Sequence, residues 1–303
     1  MTGAQIAERV RRQSTVIPRA TGRQRFADVG FRVLLLFAVF IGIFALAVLL
    51  WDVASDGVPK LSWAFLTEFP SRIIPANSGV ESALVGTLLL MGICALFVVP
   101  LGVATAVYLE EYGDRDKWFN RMIEVNIQNL AAVPSVVYGI LGLAFIVRGP
   151  LSLGNVLLAG GLTLGLLVLP VVIIVSREAI RAVPPSIREG SLALGATHWQ
   201  TIWKQVLPGS IAGIATGVIL ALSRAIGETA PLLVIGAAAS PRFNPDGLFS
   251  DFTALPIQIF VWVQDPNREF VSLAAAAIVV LMVVLLAMNS IANFLRNRYE
   301  QKW

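Results

Sequence analysis

Apolar residues fall in long blocks along this chain, and between the blocks the sequence turns polar within a few positions. The blocks run over Phe31–Trp51, Glu81–Tyr108, Asn129–Val147, Asn155–Val175, Gly209–Ala239 and Phe270–Leu295. A helix needs roughly 20 residues to cross about 30 Å of hydrocarbon, and every block is near or above that length. The pattern predicts an all-α membrane protein with six transmembrane helices. Prolines inside the second, third and fourth blocks (Pro100, Pro134, Pro170) fit that reading, because neighbouring helices in a bundle re-satisfy the backbone groups they free. The first block is too long for a signal-peptide core and no small-residue cleavage site follows it, so it reads as a retained helix.

The segments between blocks set the orientation. Met1–Asp28 is a polar tail with six arginines and no strong helical periodicity. Asp52–Gly79 is a loop in which Trp63-Ala-Phe65-Leu66 reads as an interfacial segment, since aromatic residues gather at the membrane–water boundary. Glu110–Gln128 is dense in charge and reads as a solvated loop with an amphipathic end. Arg148–Gly154 is a tight turn, and Ser240–Glu269 is a second long loop. Of the 23 Lys and Arg, seventeen fall on the side that holds both termini, Glu110–Gln128 and Ser176–Pro208, against five on the other. The positive-inside rule then places both termini and those two loops in the cytoplasm.

Composition narrows the function. Charged residues make up 14% of the 303, well below the roughly 25% of soluble domains. The net charge of +4 lies between apolar blocks and builds no basic face, which argues against a nucleic-acid partner. Cys94 is the only cysteine and His198 the only histidine. They leave no disulfide framework, no cysteine metal site and little room for histidine catalysis. No thiol, histidine or carboxylate has a recognisable catalytic partner, so no catalytic and no metal-binding residue is expected. The four lysines (Lys60, Lys117, Lys204, Lys302) never follow glycine. Without G-x-x-x-x-G-K-[ST] there is no phosphate cradle for a nucleotide. If ATP drives this molecule, another polypeptide hydrolyses it.

Two stretches carry chemistry. In the first, Pro184 and Pro185 stop a helix, and Ser186 with Glu189 has the S-x-x-E spacing of a capping box that would start another. Gly195 supplies a left-handed stop; Thr197 and Gln200 repeat the box as T-x-x-Q. Trp199, Ile202, Trp203 and Val206 recur at i, i+3, i+4, i+7 and give one apolar face. This predicts an elbow over residues 184–208, two short helices bent at glycine. Its aromatic stripe serves either packing at the membrane interface or docking into a groove of a cytoplasmic partner.

The second stretch is Arg224-Ala-Ile-Gly-Glu228-Thr-Ala-Pro231 inside the fifth block. A charge at bilayer depth costs at least ~2.5–3.5 kcal/mol on insertion scales and normally faces a protein interior or a water-filled path. On a continuous helix the i, i+4 spacing stacks Arg224 and Glu228 on one face. They would then either neutralise each other and hold helices in register, or serve an anion. Guanidinium offers a planar fork for oxyanions, and Glu228 can orient it or accept a proton from a protonated oxyanion. That second role favours phosphate over sulfate. Thr229 and Ser135, the latter in Val133-Pro-Ser, are candidate hydroxyl donors on the same path, and Gly139 a close-packing position.

Glu189, Gly195, Leu207 and Pro208 fall at the spacing of the EAA motif, so the chain resembles the permeases of ABC importers. Gly190 and Ser191 replace its two alanines, and Gln205 its usual isoleucine. Arg224-Ala-Ile-Gly-Glu-Thr-Ala-Pro-Leu232 resembles the G-E-T-A-P-L segment of PstA-type phosphate permeases. Gly79-Val, Gly86-Thr87, Val133-Pro-Ser and Ala254-Leu-Pro-Ile-Gln-Ile259 with Trp262 match in support. The resemblance covers about Gly79 to the C-terminus and implies the type I ABC importer permease fold. Its domains would be a cytoplasmic tail (1–28) and a permease domain (29–303, core 80–295).

The resemblance also implies partners and roles. Glu189, Gly195, Ala196, Thr197 and Trp199 would couple to an ATPase, and Arg224 and Glu228 would inherit a part in phosphate transport. The implied assembly pairs this chain with a PstC-type permease subunit and two copies of a PstB-type ATPase that hold ATP and Mg. A PstS-type phosphate-binding protein would meet the outer loops. The setting would be a bacterial inner membrane and its lipid, with inorganic phosphate as cargo. Sulfate or molybdate transport by a similar permease is the nearest alternative, and a stand-alone channel or secondary transporter a more distant one.

Overall fold

The computed structural model describes residues 22–299 apart from residue 72, residues 115–116 and residues 238–240. Most of the tail expected at Met1–Asp28 lies outside the described residues. The chain forms two compact units, Met1–Asp52 and Val53–Trp303.

Helix α1 (Gly22–Gly57) supplies the described part of the first unit. It starts before Phe31, because Arg23, Gln24, Arg25 and Ala27 are good helix formers with no breaker among them. The tail therefore reads as polar for longer than it is non-helical. Every residue from Asp28 to Leu50 is exposed. A stretch apolar on all sides and exposed throughout suits lipid or another protein surface.

In the second unit the loop before the second block folds into a short helix, α2 (Trp63–Thr67), capped by the Ser62 hydroxyl, which accepts from the Phe65 N–H at 3.0 Å. Phe65 is buried and Trp63 exposed, the arrangement expected of an interfacial segment. Helix α3 (Glu81–Val107) continues through a π-turn to Tyr112. Helix α4 (Trp118–Ala131) and helix α5 (Ser135–Leu141), the latter extended by a π-turn to Val147, meet at a bend of 109°. The straight third span expected over Asn129–Val147 is therefore a bent pair. Pro134 has no N–H to donate to the Leu130 carbonyl, so the helix cannot continue. That carbonyl instead accepts from the Val133 N–H at 3.1 Å and the Tyr138 hydroxyl at 2.8 Å.

Helix α6 (Leu157–Arg181) is the most buried of the long helices. Helices α7 (Pro185–Ala193) and α8 (His198–Thr201) form the elbow. From α8 a π-turn (Ile202–Val206) runs without a break into α9 (Leu207–Ala225). The expected boundary at Pro208 is not there. A π-turn just ahead of the proline absorbs the hydrogen bond that Pro208 cannot make.

The fifth block is also corrected. Instead of one helix over Gly209–Ala239, α9 ends at Ala225 and α10 (Ala230–Val234) follows after a break. Gly227 weakens the helix, and the Pro231 ring would clash with its carbonyl four residues back.

Helix α11 (Leu255–Val263) lies inside what reads as the outer loop Ser240–Glu269, and α12 (Arg268–Tyr299) ends the described chain. Leu255 and Trp262 of α11 are buried with Phe65, Phe270 and Leu273, and Ile257 joins the main core. The segment is apolar enough to be core but too short to span, so block length alone misses it. Among the described residues, regular structure is helical, and five helices, or six counting the bent pair, are long and apolar enough to cross a membrane. The main core joins Leu90, Cys94 and Val98 of α3 to Leu164, Leu167 and Val168 of α6.

Candidate functional site

Arg224 and Glu228 flank the break between α9 and α10. After Ala225 the chain makes turn-like bonds, Gly227 N–H to the Arg224 carbonyl at 3.3 Å and Glu228 N–H to the Ala225 carbonyl at 3.2 Å. The stacking of both side chains on one continuous helix is thus not how they meet. They still pair, Arg224 Nε to Glu228 Oε1 at 3.6 Å, with side chains 47% and 20% exposed. This is an ion contact longer than a good charge-assisted hydrogen bond, and nearly half the Arg224 side chain stays open. A tight neutralising pair would be shorter and more deeply covered.

Two segments picked out in the sequence come together here. Helix α5 packs on α10. A Cβ on Gly139 would lie 2.8 Å from Pro231 Cα and 3.0 Å from Val234 Cβ. Glycine is what allows that approach, as the packing reading of Gly139 expects. Tyr138 lies within electrostatic reach of Arg224. Thr229 precedes α10 and Ser135 opens α5, so both flank this seam, and both are half-buried. The seam unites a bent helix pair with a broken helix. Backbone of this kind is tolerated at membrane depth where it is buried in protein or lines a cavity.

The elbow forms differently from its sequence pattern at one end and as expected at the other. Helix α7 starts on Pro185 with Pro184 as N-cap and no side-chain cap, so the Ser186–Glu189 box does not form. Proline, with φ pre-set for the first helical position, moves the start ahead of Ser186. Gly195 has φ +85° and turns the chain. Thr197 and Gln200 form a reciprocal box, Gln200 N–H to Thr197 Oγ1 at 3.2 Å and Thr197 N–H to Gln200 Oε1 at 3.0 Å.

Ser191, which stands where the motif has alanine, meets the buried Thr201 hydroxyl at 2.9 Å and ties α7 to α8. Glu189, Gly195, Thr197 and Trp199 are exposed and Ala196 half-buried. Leu194 is 91% exposed at the tip. The aromatic stripe divides. Ile202 and Val206 are buried, whereas Trp199 and Trp203 pack edge to face at 5.4 Å. With Val103, Val107 and Tyr112, these two line an apolar groove of about 570 Å³.

Sequence reasoning missed a third feature. The charged stretch after the second block is not simply a solvated loop, since Glu110 and Glu111 are 3% and 6% exposed. Arg181 grips Glu110 with two bonds, at 3.0 and 3.1 Å, and Arg177 bridges Glu110 at 3.5 Å and Glu124 at 3.0 Å. Arg188 of the elbow pairs with Glu111 at 2.8 Å. Acids just past the second block and bases just past the fourth lie on one side by topology, and that was the available signal.

Comparison with known proteins gives a consistent result. Residues 98–301 match the family described as "Binding-protein-dependent transport system inner membrane component". The chain is 34% identical over 253 residues to the phosphate transport system permease protein PstA 1 of Mycobacterium tuberculosis, covering 82% of this chain and 81% of that one. It is 31% identical over 261 residues to PstA of Yersinia pestis, covering 86% and 87%. In fold it is similar to a chain in the crystal structure of a bacterial alginate ABC transporter in complex with an alginate pentasaccharide-bound periplasmic protein. The TM-score is 0.66 at 18% identity, over 91% of this chain and 98% of that one. At that identity the likeness concerns fold alone.

Proposed function

The chain belongs to the binding-protein-dependent transport system inner membrane components, and within them to the PstA-type permeases, and from that membership we propose that it is one membrane-spanning subunit of an ATP-driven phosphate importer. A PstC-type subunit completes the path as a heterodimer. Two copies of a PstB-type ATPase lie under the elbows and hold ATP and Mg, and a PstS-type protein delivers inorganic phosphate from outside. This chain has no nucleotide cradle in its sequence. Its described residues hold no group of three or more His, Cys, Asp or Glu side chains placed to hold a metal ion.

The observation that carries the reading is the open Arg224–Glu228 pair at the α9–α10 break. An oxyanion entering the seam takes the guanidinium fork through two parallel hydrogen bonds. Glu228, displaced from Arg224, accepts the proton that phosphate still carries at neutral pH and that sulfate lacks. Thr229 and Ser135 offer hydroxyls from the two sides of the seam. The site is transient by construction, because the Glu228 carboxylate competes for the guanidinium and returns when phosphate leaves. At the other end, the ATPase receives Glu189, Gly195, Ala196, Thr197 and Trp199. Nucleotide binding and hydrolysis move the elbow and alternate the seam between the two faces of the membrane. Both termini and the elbow are cytoplasmic in this arrangement.

The test is uptake of labelled phosphate and labelled sulfate in a permease-deleted strain supplied with this chain and its partner subunits. The expected result is phosphate uptake that requires ATP and the external binding protein. Arg224→Gln should abolish it while the complex still assembles. Sulfate uptake, or transport without partners, overturns the phosphate reading, and uptake that survives Arg224→Gln overturns the anion site.

A further inference from the structure

Pro184 and Pro185 leave a mechanical gap between α6 and the elbow. Neither has an N–H, so the backbone ladder of α6 cannot continue into α7, and the buried Ile180 carbonyl, whose helical donor would be Pro184, keeps only local bonds such as that from the Val183 N–H at 3.3 Å. One side chain closes the gap. Arg188, on α7 beside Glu189, donates from Nη1 to the Val183 carbonyl at 2.6 Å and from Nη2 to the Ile180 carbonyl at 2.8 Å. The same guanidinium reaches across to the π-turn that ends the second span, with Nε and Nη2 to Glu111 Oε1 at 3.0 and 2.8 Å. Glu111 is nearly buried and Arg188 is 23% exposed. Every nitrogen of the fork is engaged.

We propose that Arg188 and Glu111 are positioning residues that form the joint through which motion of the elbow reaches the transmembrane core. The proposal rests on the reading of the elbow as the ATPase-coupling segment. Without the joint, α7 is linked to α6 through two prolines and to α8 through the Ser191–Thr201 contact, and its motion has no polar link to α6 or to the end of α3. With it, displacement of Glu189 is passed to α6 through two carbonyls and to the end of α3 through a carboxylate. Glu110 extends the linkage, since Arg181 and Arg177 of α6 fix it, and Arg177 goes on to Glu124 of α4. The elbow thus engages three core helices through charge-assisted hydrogen bonds. These are short-ranged and directional, as a rigid joint requires. The Arg188 guanidinium bonds Glu111 and the Ile180 and Val183 carbonyls, and none of the side chains assigned to the seam or to ATPase contact.

The experiment uses the complete transporter reconstituted in proteoliposomes, with this chain carrying Arg188→Lys or Glu111→Gln. Copurification of the ATPase, ATP hydrolysis and phosphate uptake are all measured. Lysine keeps the charge and loses the planar fork; glutamine keeps the shape and loses the charge. We expect the ATPase to copurify and hydrolyse ATP at near-normal rates. Phosphate moved per ATP should fall about tenfold, a size typical of a coupling free energy between two sites.

An unchanged ratio in either assembled variant overturns the proposal. So does failure of both variants to assemble, which would make the contact a folding element only. If Glu111→Gln alone fails to assemble, Arg188→Lys decides. Failure of the unaltered complex to move phosphate would instead sink the substrate reading. The ratio would then be read with whichever solute that complex carries.

Discussion

At the scale of single residues, the geometry bears on a choice that the sequence leaves open. Arg224 and Glu228 were open to two readings, a self-neutralising pair or an anion site. At 3.6 Å, with Arg224 nearly half exposed, they are close enough to hold each other and loose enough to part. The reading as an anion site makes fork geometry matter as well as charge. Arg224→Lys retains the charge but presents a compact ammonium in place of two parallel donors. Losing one hydrogen bond to a charged group costs about 1.5–3 kcal/mol, so phosphate uptake should fall roughly ten- to hundredfold while the complex assembles normally. Uptake rates across the Arg, Lys and Gln series check this; equal rates for Arg and Lys would mean that only charge is read. Glu228→Gln tests the proton acceptor separately. Excess sulfate should compete with labelled phosphate in that variant and not in the unaltered chain, because the carboxylate that repels a fully ionised oxyanion is gone.

At the scale of elements, breaks matter as much as helices. Gly139 sits where α5 touches α10, and a side chain there meets the Pro231 backbone at 2.8 Å, which cannot turn aside as a side-chain tip would. Gly139→Val should cost about 1–3 kcal/mol, the range for overpacking a well-packed contact, visible as a lowered unfolding temperature of the purified complex and as reduced uptake. Gly195→Ala should act on the other side of the molecule. Its φ of +85° is costly for any residue with a Cβ, by about 1–2 kcal/mol. It should weaken retention of the ATPase during purification without changing uptake-independent folding of the membrane helices. Both positions were readable beforehand, Gly139 from its small-residue context and Gly195 from the helix-stop pattern. So were four of the six apolar blocks as unbroken helices and the Thr197–Gln200 box. What stayed hidden was how blocks are interrupted. A run such as Gly209–Ala239 looks continuous to hydropathy, because Gly227 and Pro231 change backbone geometry without changing polarity. The converse failure is α11, whose nine residues are all apolar except Gln258 but too few to register as a span. Glu110 and Glu111 were misread for a third reason. Their burial depends on Arg177, Arg181 and Arg188, far along the chain, and local charge density cannot reveal it.

At the scale of the whole molecule, the distribution of basic residues makes a claim about orientation that a labelling experiment decides. By the positive-inside rule the excess of Lys and Arg on the side of the elbow would place that side in the cytoplasm, and the coupling role proposed for α7 and α8 requires the same. The chain offers a clean background, because its only cysteine, Cys94, is fully buried in the core between α3 and α6. Two reporter positions suit the test: Trp63, 80% exposed on α2, and Leu194, 91% exposed at the elbow tip. Trp63→Cys should react with a membrane-impermeant maleimide in cells whose outer surface alone is accessible. Leu194→Cys should react only after the inner membrane is opened, and should be protected when the ATPase is bound. Labelling of Leu194→Cys from outside would invert the topology, and would remove the ATPase from the elbow together with the phosphate path built on that orientation. Labelling from inside without protection by the ATPase would leave the topology standing and separate the tip of the elbow from the docking surface. Protection in the assembled complex is the expected result, since an apolar tip that exposes Leu194 together with Leu192 is stabilised by being covered.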